Sequence, residues 1–134
     1  MISQTTEATK LVARLGIVLL LLVIPSCGPR RAAPVDADLA EQTLLRVLET
    51  WKSGGTISQL RSADQPVVVQ DASWTEGKTL ESYTLVGDGW VEDANLFQDV
   101  ELTFAPEAGR RSVPKRVTYV IGTDPVITVF RAIL

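Results

Sequence analysis

Two hydrophobic patterns divide this chain. Residues 15–24 form an uncharged apolar run of 10 residues, which follows a polar stretch containing the cations Lys10 and Arg14. From residue 36 onward, apolar and polar positions alternate instead with the periods of helices and strands. The first pattern is typical of an export or anchor segment, and the second predicts a folded domain.

The folded part begins with a predicted amphipathic helix of about four turns. Its apolar positions recur at i, i+3, i+4 and i+7: Leu44, Val47, Leu48 and Trp51. Asp38 and Glu41 have the spacing of a capping box at its start, and a glycine pair from Gly54 would end it. Thr56 and Gln59 form a second capping-box pattern, which predicts a short following helix.

From Pro66 the period changes to two, which predicts β-strands. The predicted strands are residues 67–69, a second around Tyr83 and Leu85 that stops at residues 87–89, then 96–105, 116–121 and 126–131. Strands joined by short loops pair antiparallel. Because the helices precede the strands, we expect an α+β domain: one amphipathic helix and a short helix packed on a curved antiparallel sheet of four to five strands.

The apolar run at residues 15–24 is too short for a membrane-spanning helix, which needs about 20 residues, but it fits a signal peptide. Ile24-Pro25-Ser26-Cys27 follows it and resembles a bacterial lipobox, although Pro25 departs from the usual small residue. The resemblance implies lipid transfer to the Cys27 sulfur and cleavage before it. A short uncleaved anchor and ordinary secretion stay open. We therefore expect a signal peptide or anchor at residues 1–26, a tether at 27–35 and an α+β domain at 36–134.

Composition excludes several classes of function. The chain has 134 residues, 14.6 kDa, no histidine and one cysteine, so it lacks the commonest general base and cannot form an intramolecular disulfide or a cysteine zinc site. A pI of about 4.9 argues against nucleic-acid binding. The acidic residues between Asp88 and Asp93 lack the spacing of a calcium loop. We expect no cofactor, no bound metal and no catalysis.

Two resemblances add to this interpretation. The order of helix and strand meander from residue 36 is similar to the nuclear-transport-factor-2-like and cystatin-like families, which implies a helix–sheet cone. Three strings look like a group of small exported bacterial proteins without an assigned activity: residues 51–54 (WKSG), 71–77 (DASWTEG) and 119–131 (YVIGTDPVITVFR). That likeness implies export and fold, with no chemistry attached.

Two functions are compatible with the sequence. In the first, a membrane-anchored module of the cell envelope contacts an envelope protein through its sheet surface or the region of Trp74 and Trp90. In the second, a small ligand binds in the cone between helix and sheet, where catalysis is a less favoured alternative to simple binding. The candidate pocket or contact residues are Trp51, Trp74, Tyr83, Trp90, Phe104 and Tyr119, and Cys27 is the candidate lipidation site.

Overall fold

The computed structural model describes Gly28, Pro29 and residues 31–133. Within this part, one compact unit comprises Ala32–Leu134 and is described up to Ile133. The predicted signal peptide or anchor at residues 1–26 and the predicted lipidation site Cys27 lie outside the described residues, and both stay predictions.

Helix α1 spans Ala37–Lys52, and its N-cap is Asp36 rather than the predicted Asp38. The Asp36 carboxylate accepts a hydrogen bond from the Leu39 amide at 3.0 Å. Asp36 is the residue with an extended backbone, whereas Asp38 already lies in the first helical turn, where a negative charge also suits the helix dipole. The prediction was therefore wrong by two residues because two aspartates compete for the same role.

The end of α1 forms a Schellman motif, in which two amides bond back to the last turn. Gly54 has a φ of +83°, and its amide donates to the Trp51 carbonyl at 3.0 Å, while the Gly55 amide donates to the Thr50 carbonyl at 2.8 Å. Helix α2, Ile57–Arg61, then begins with the predicted capping box between Thr56 and Gln59. The glycine pair and the second box are thus confirmed.

A five-stranded sheet follows, in the spatial order β1-β5-β4-β3-β2. Its elements are β1 Val67–Gln70, the short helix α3 Ala72–Thr75, β2 Leu80–Glu92, β3 Asn95–Phe104, β4 Lys115–Gly122 and β5 Ile127–Arg131. Strands β2 to β5 form an antiparallel meander, but β1 pairs parallel to β5. The α+β class is confirmed. The prediction of a wholly antiparallel sheet was wrong, because no short loop joins β1 to β5: the rest of the meander lies between them in the chain, and β1 pairs with the last strand at the edge of the sheet.

Strand β2 does not stop at residues 87–89 as predicted, but continues to Glu92 across a β-bulge between Val86 and Trp90. Gln98 of β3 is buried opposite this bulge. Its side-chain amide donates to the carbonyls of Val86 at 3.3 Å and Gly87 at 3.2 Å. The side chain thereby satisfies polar groups that the interrupted ladder leaves free, so the glycines bend the strand without ending it.

The two faces of the sheet have different surroundings. Helix α1 packs on the inner face, where alternate residues of the strands form one core with the apolar side of the helix. The most deeply buried members of this core are Leu44, Leu48, Leu80, Leu102, Tyr119, Ile121 and Val129. On the outer face, the intervening residues Phe97, Val120 and Phe130 lie outside that core. None of the helices that the structure describes contributes to this outer face.

The chain enters the domain beside the turn that joins β4 to β5. The Ala33 amide donates to the Asp124 carboxylate at 3.0 Å, and the Asp36 amide donates to the Thr123 hydroxyl at 3.0 Å. Val35 packs against the core. Contacts with the domain therefore begin before α1, within the segment that the sequence predicts as a tether.

Candidate functional site

A buried polar cluster joins α3 to the last two strands. Its members are Asp71, Ser73, Tyr119 and Arg131. Asp71 is the N-cap of α3 and is only 3% exposed. The Tyr119 hydroxyl donates to Asp71 Oδ2 at 2.6 Å, and Arg131 Nη1 donates to Asp71 Oδ1 at 3.3 Å and to Ser73 Oγ at 2.6 Å. Tyr119 and Arg131 are paired neighbours on β4 and β5, which places both side chains on one face.

The polar cluster has the arrangement of a structural hydrogen-bond network, which holds α3 against the last two strands. Asp71 Oδ1 also accepts the Trp74 amide at 3.2 Å, so both carboxylate oxygens are occupied by donors within the protein. Burial raises the pKa of Tyr119 far above its usual range, the Asp71 charge raises it further, and Arg131 opposes the shift. Asp71 and Tyr119 are both buried, which leaves them poorly placed to exchange a proton with a substrate.

Three aromatic side chains meet at the C-terminal end of α1. The rings of Trp51 and Trp74 stack with centroids 5.1 Å apart, and Trp51 contacts Phe104 with centroids 5.6 Å apart. The Trp51 indole N–H donates to the Lys78 carbonyl at 2.9 Å, which ties the α3–β2 connection to the helix. We call Trp51, Trp74 and Phe104 the aromatic cluster. Trp51 is buried, while Trp74 and Phe104 are half-buried at its edge.

Tyr83 lies on the inner face of β2 but reaches the edge of α1. Its hydroxyl donates to the Glu49 carboxylate at 3.0 Å. Partial burial and the Glu49 carboxylate both raise the pKa of Tyr83. This contact is exposed to solvent and links helix to sheet, so Tyr83 is separate from the buried polar cluster around Tyr119.

The outer face of the sheet carries an apolar band that crosses four neighbouring strands. Trp90 pairs with Phe97, Phe97 with Val120, and Val120 with Phe130. The rings of Trp90 and Phe97 stack with centroids 5.5 Å apart, and Trp90 is 43% exposed. We call these four residues the outer band. The other three residues are half-buried, so the band is a partly exposed apolar surface, and contiguous apolar surfaces of this kind mark contact sites.

A polar patch lies beside the outer band on β3 and β4. Asp99 accepts hydrogen bonds from the Thr118 hydroxyl at 2.6 Å and from Arg116 at 2.8 Å. Those two donors, the hydroxyl first, lower the pKa of Asp99 below its usual value. The ion pair with Arg116 neutralises the Asp99 charge beside the band.

The structure brings some predicted site residues together and separates others. Trp51, Trp74 and Phe104 form one cluster, whereas Tyr83, Tyr119 and Trp90 lie in three different environments. Sequence reasoning missed Ser73 and Arg131 as partners of Asp71. Arg131 ends the last strand on the same side as Val129, and that alternation was an available signal for its inward orientation.

Among the described residues, no group of three or more acidic or cysteine side chains is arranged to hold a metal ion. In the same part of the chain, the helices lack the length and apolar character needed to cross a bilayer. Comparison with known proteins found no matching protein-family model, curated protein or solved structure.

Proposed function

We propose that this chain is a lipid-anchored module of the cell envelope whose α+β domain binds another envelope protein through the outer band. The outer band carries this proposal, because its aromatic side chains lie on a sheet face that no described helix covers. Tryptophan is among the residues that contribute most to protein–protein binding energy. The polar cluster supports a non-catalytic role, because its carboxylate is used entirely within the fold.

The charges around the outer band support a particular surface chemistry for the proposed partner. Glu92 and Glu101 are exposed on the outer face, one on each side of the band, while the Asp99 carboxylate is already paired with Arg116. A complementary surface therefore has an apolar centre with lysine or arginine at its rim. We propose a protein partner with that surface.

The alternative of a ligand pocket between α1 and the sheet has less support. Trp51 and Tyr119, which would line such a pocket, are 3% and 1% exposed and belong to the packed core. Leu48 on the same helix and Ile121 on the same strand belong to this core and are fully buried. A ligand there would have to displace core side chains, which is unfavourable in a close-packed interior.

The anchor is tested by the mass and membrane association of the mature chain. We expect mass spectrometry of the full-length product to show a chain that begins at Cys27 and carries acyl groups. Cys27→Ser is expected to abolish acylation and membrane retention, because serine has no thiol to accept the lipid. An intact N-terminus with a free Cys27 thiol would contradict the lipid anchor.

The contact surface is tested by site-specific photo-crosslinking in the intact envelope. A crosslinker at position 90 is expected to capture one protein of different mass, and a crosslinker at position 113 is the control because Val113 is exposed far from the outer band. Phe97→Ser, with the crosslinker kept at position 90, should abolish capture while the fold is retained. Capture of only a second copy of this chain, or equal capture from position 113, would contradict the proposal.

A further inference from the structure

A second surface feature lies at the end of the sheet opposite the β2–β3 turn. A cleft of about 370 Å³ separates the α3–β2 connection from the loop that joins β3 to β4. That volume lies within the range of small-molecule sites, about 300–1,000 Å³. Its lining includes Lys78, Arg110 and Arg111 but only one carboxylate, Glu107. The cleft is therefore locally basic in a chain whose net charge is −3.

One wall of the cleft is held firmly by the fold. The Lys78 amide donates to the Ser73 carbonyl at 3.0 Å, and its carbonyl accepts the Trp51 indole N–H. The Ala105 amide donates to the Thr79 carbonyl at 2.9 Å, which closes the base of the cleft. These contacts fix the backbone of Lys78 and Thr79, so this wall of the cleft is formed before any ligand binds.

An aromatic surface lies next to the cations. Phe104 lines the cleft, and Lys78 Nζ lies 5.3 Å from the centroid of its ring. Arginine side chains bind phosphate through paired N–H donors, and a phosphate monoester carries a charge of about −1.5 to −2 at neutral pH. A ligand with an anionic end for Lys78, Arg110 and Arg111 and an apolar end for Phe104 would use both parts of the cleft.

We propose that this cleft binds a small organic phosphate monoester, with the phosphate at the three cations and its apolar group on Phe104. The site is independent of the outer band, so either proposal can fail without the other. It also lies outside the core between α1 and the sheet, and its ligand displaces no core side chain.

The test is an amide NMR titration of the full-length chain in nonionic detergent, with phenyl phosphate as the probe. We expect shifts confined to residues 77–79 and 104–113 and a dissociation constant of about 1 mM or lower. Inorganic phosphate and phenol, which each carry one half of the ligand, should bind at least about tenfold more weakly. Inorganic phosphate that binds as tightly as phenyl phosphate would overturn the role of Phe104.

A matched pair of double variants distinguishes binding in the cleft from general electrostatic attraction to the protein. Arg110→Gln with Arg111→Gln should weaken phenyl phosphate binding by about tenfold or more. Lys52→Gln with Arg61→Gln removes the same charge from exposed positions outside the cleft and should change binding by less than about twofold. An equal loss in both doubles, or shifts that map elsewhere, would overturn the proposal.

Discussion

The Tyr119 hydroxyl donates a hydrogen bond of 2.6 Å to Asp71, a residue 48 positions earlier in the chain. The bond joins β4 to the N-cap of α3, and both side chains are buried. Together with Arg131 it ties α3 to the edge of the meander, which places Trp74 against Trp51. The polar cluster thus positions the aromatic cluster.

Removing the Tyr119 hydroxyl is expected to destabilise the domain. Tyr119→Phe deprives the buried Asp71 carboxylate of one donor and should lower the free energy of unfolding by about 1–2 kcal/mol. Tyr83→Phe is the control, because it removes the same group from a solvent-exposed contact with Glu49 and should cost less than about 0.5 kcal/mol. Urea unfolding followed by tryptophan fluorescence measures both, and equal losses would contradict the structural role of Tyr119.

Neutralising Asp71 is expected to lower the free energy of unfolding by more than Tyr119→Phe does. Asp71→Asn leaves the Arg131 guanidinium largely buried without its counter-charge, and loss of one partner of a buried pair typically costs about 3–5 kcal/mol. Asp99→Asn breaks a more exposed pair with Arg116 and should cost less than about 1 kcal/mol. Thermal or urea unfolding of both variants makes the comparison. A smaller loss of unfolding free energy for Asp71→Asn than for Asp99→Asn would contradict the structural role of the polar cluster.

Alkaline pH should destabilise the fold through Tyr119. Its pKa is raised in the folded state, so the protonated form is favoured there, whereas the unfolded chain ionises near the ordinary value of about 10. The contribution of Tyr119 to the free energy of unfolding is fully present below that pH. Above it, the free energy of unfolding falls by about 1.4 kcal/mol per pH unit. Unfolding free energies between pH 9 and pH 11 test this (about one unit to each side of the ordinary value). Tyr119→Phe should show a shallower decline, and parallel curves for the two proteins would refute the assignment.

The end of α1 should depend on the backbone freedom of Gly54. Its φ of +83° disfavours a side chain, yet a Cβ there would meet no atom within 4 Å. Gly54→Ala is therefore expected to cost about 1–2 kcal/mol through backbone strain alone. Gly54→Asn should cost less, since asparagine tolerates the left-handed region. Urea unfolding ranks the two, and an asparagine variant less stable than the alanine variant would contradict this reasoning.

Only part of the candidate site could be predicted from the sequence. The stripe that ends at Trp51 indicates its burial, and alternation along β4 places Tyr119 in the core. Nothing local indicates that Asp71 would meet Tyr119 and Arg131, because these residues belong to three separate elements. The outer band could not be predicted from the sequence either, since Phe97, Val120 and Phe130 become neighbours only through strand pairing.

The sequence by itself determined the elements whose causes are local. The apolar period placed α1, the Thr56 box began α2, and alternation defined β3, because helix periodicity, capping and strand pleating each act over a few residues. Only the tertiary structure decided that β1 lies parallel to β5 and that β2 continues through its bulge beside Gln98. Both depend on contacts between distant segments, which no local pattern specifies.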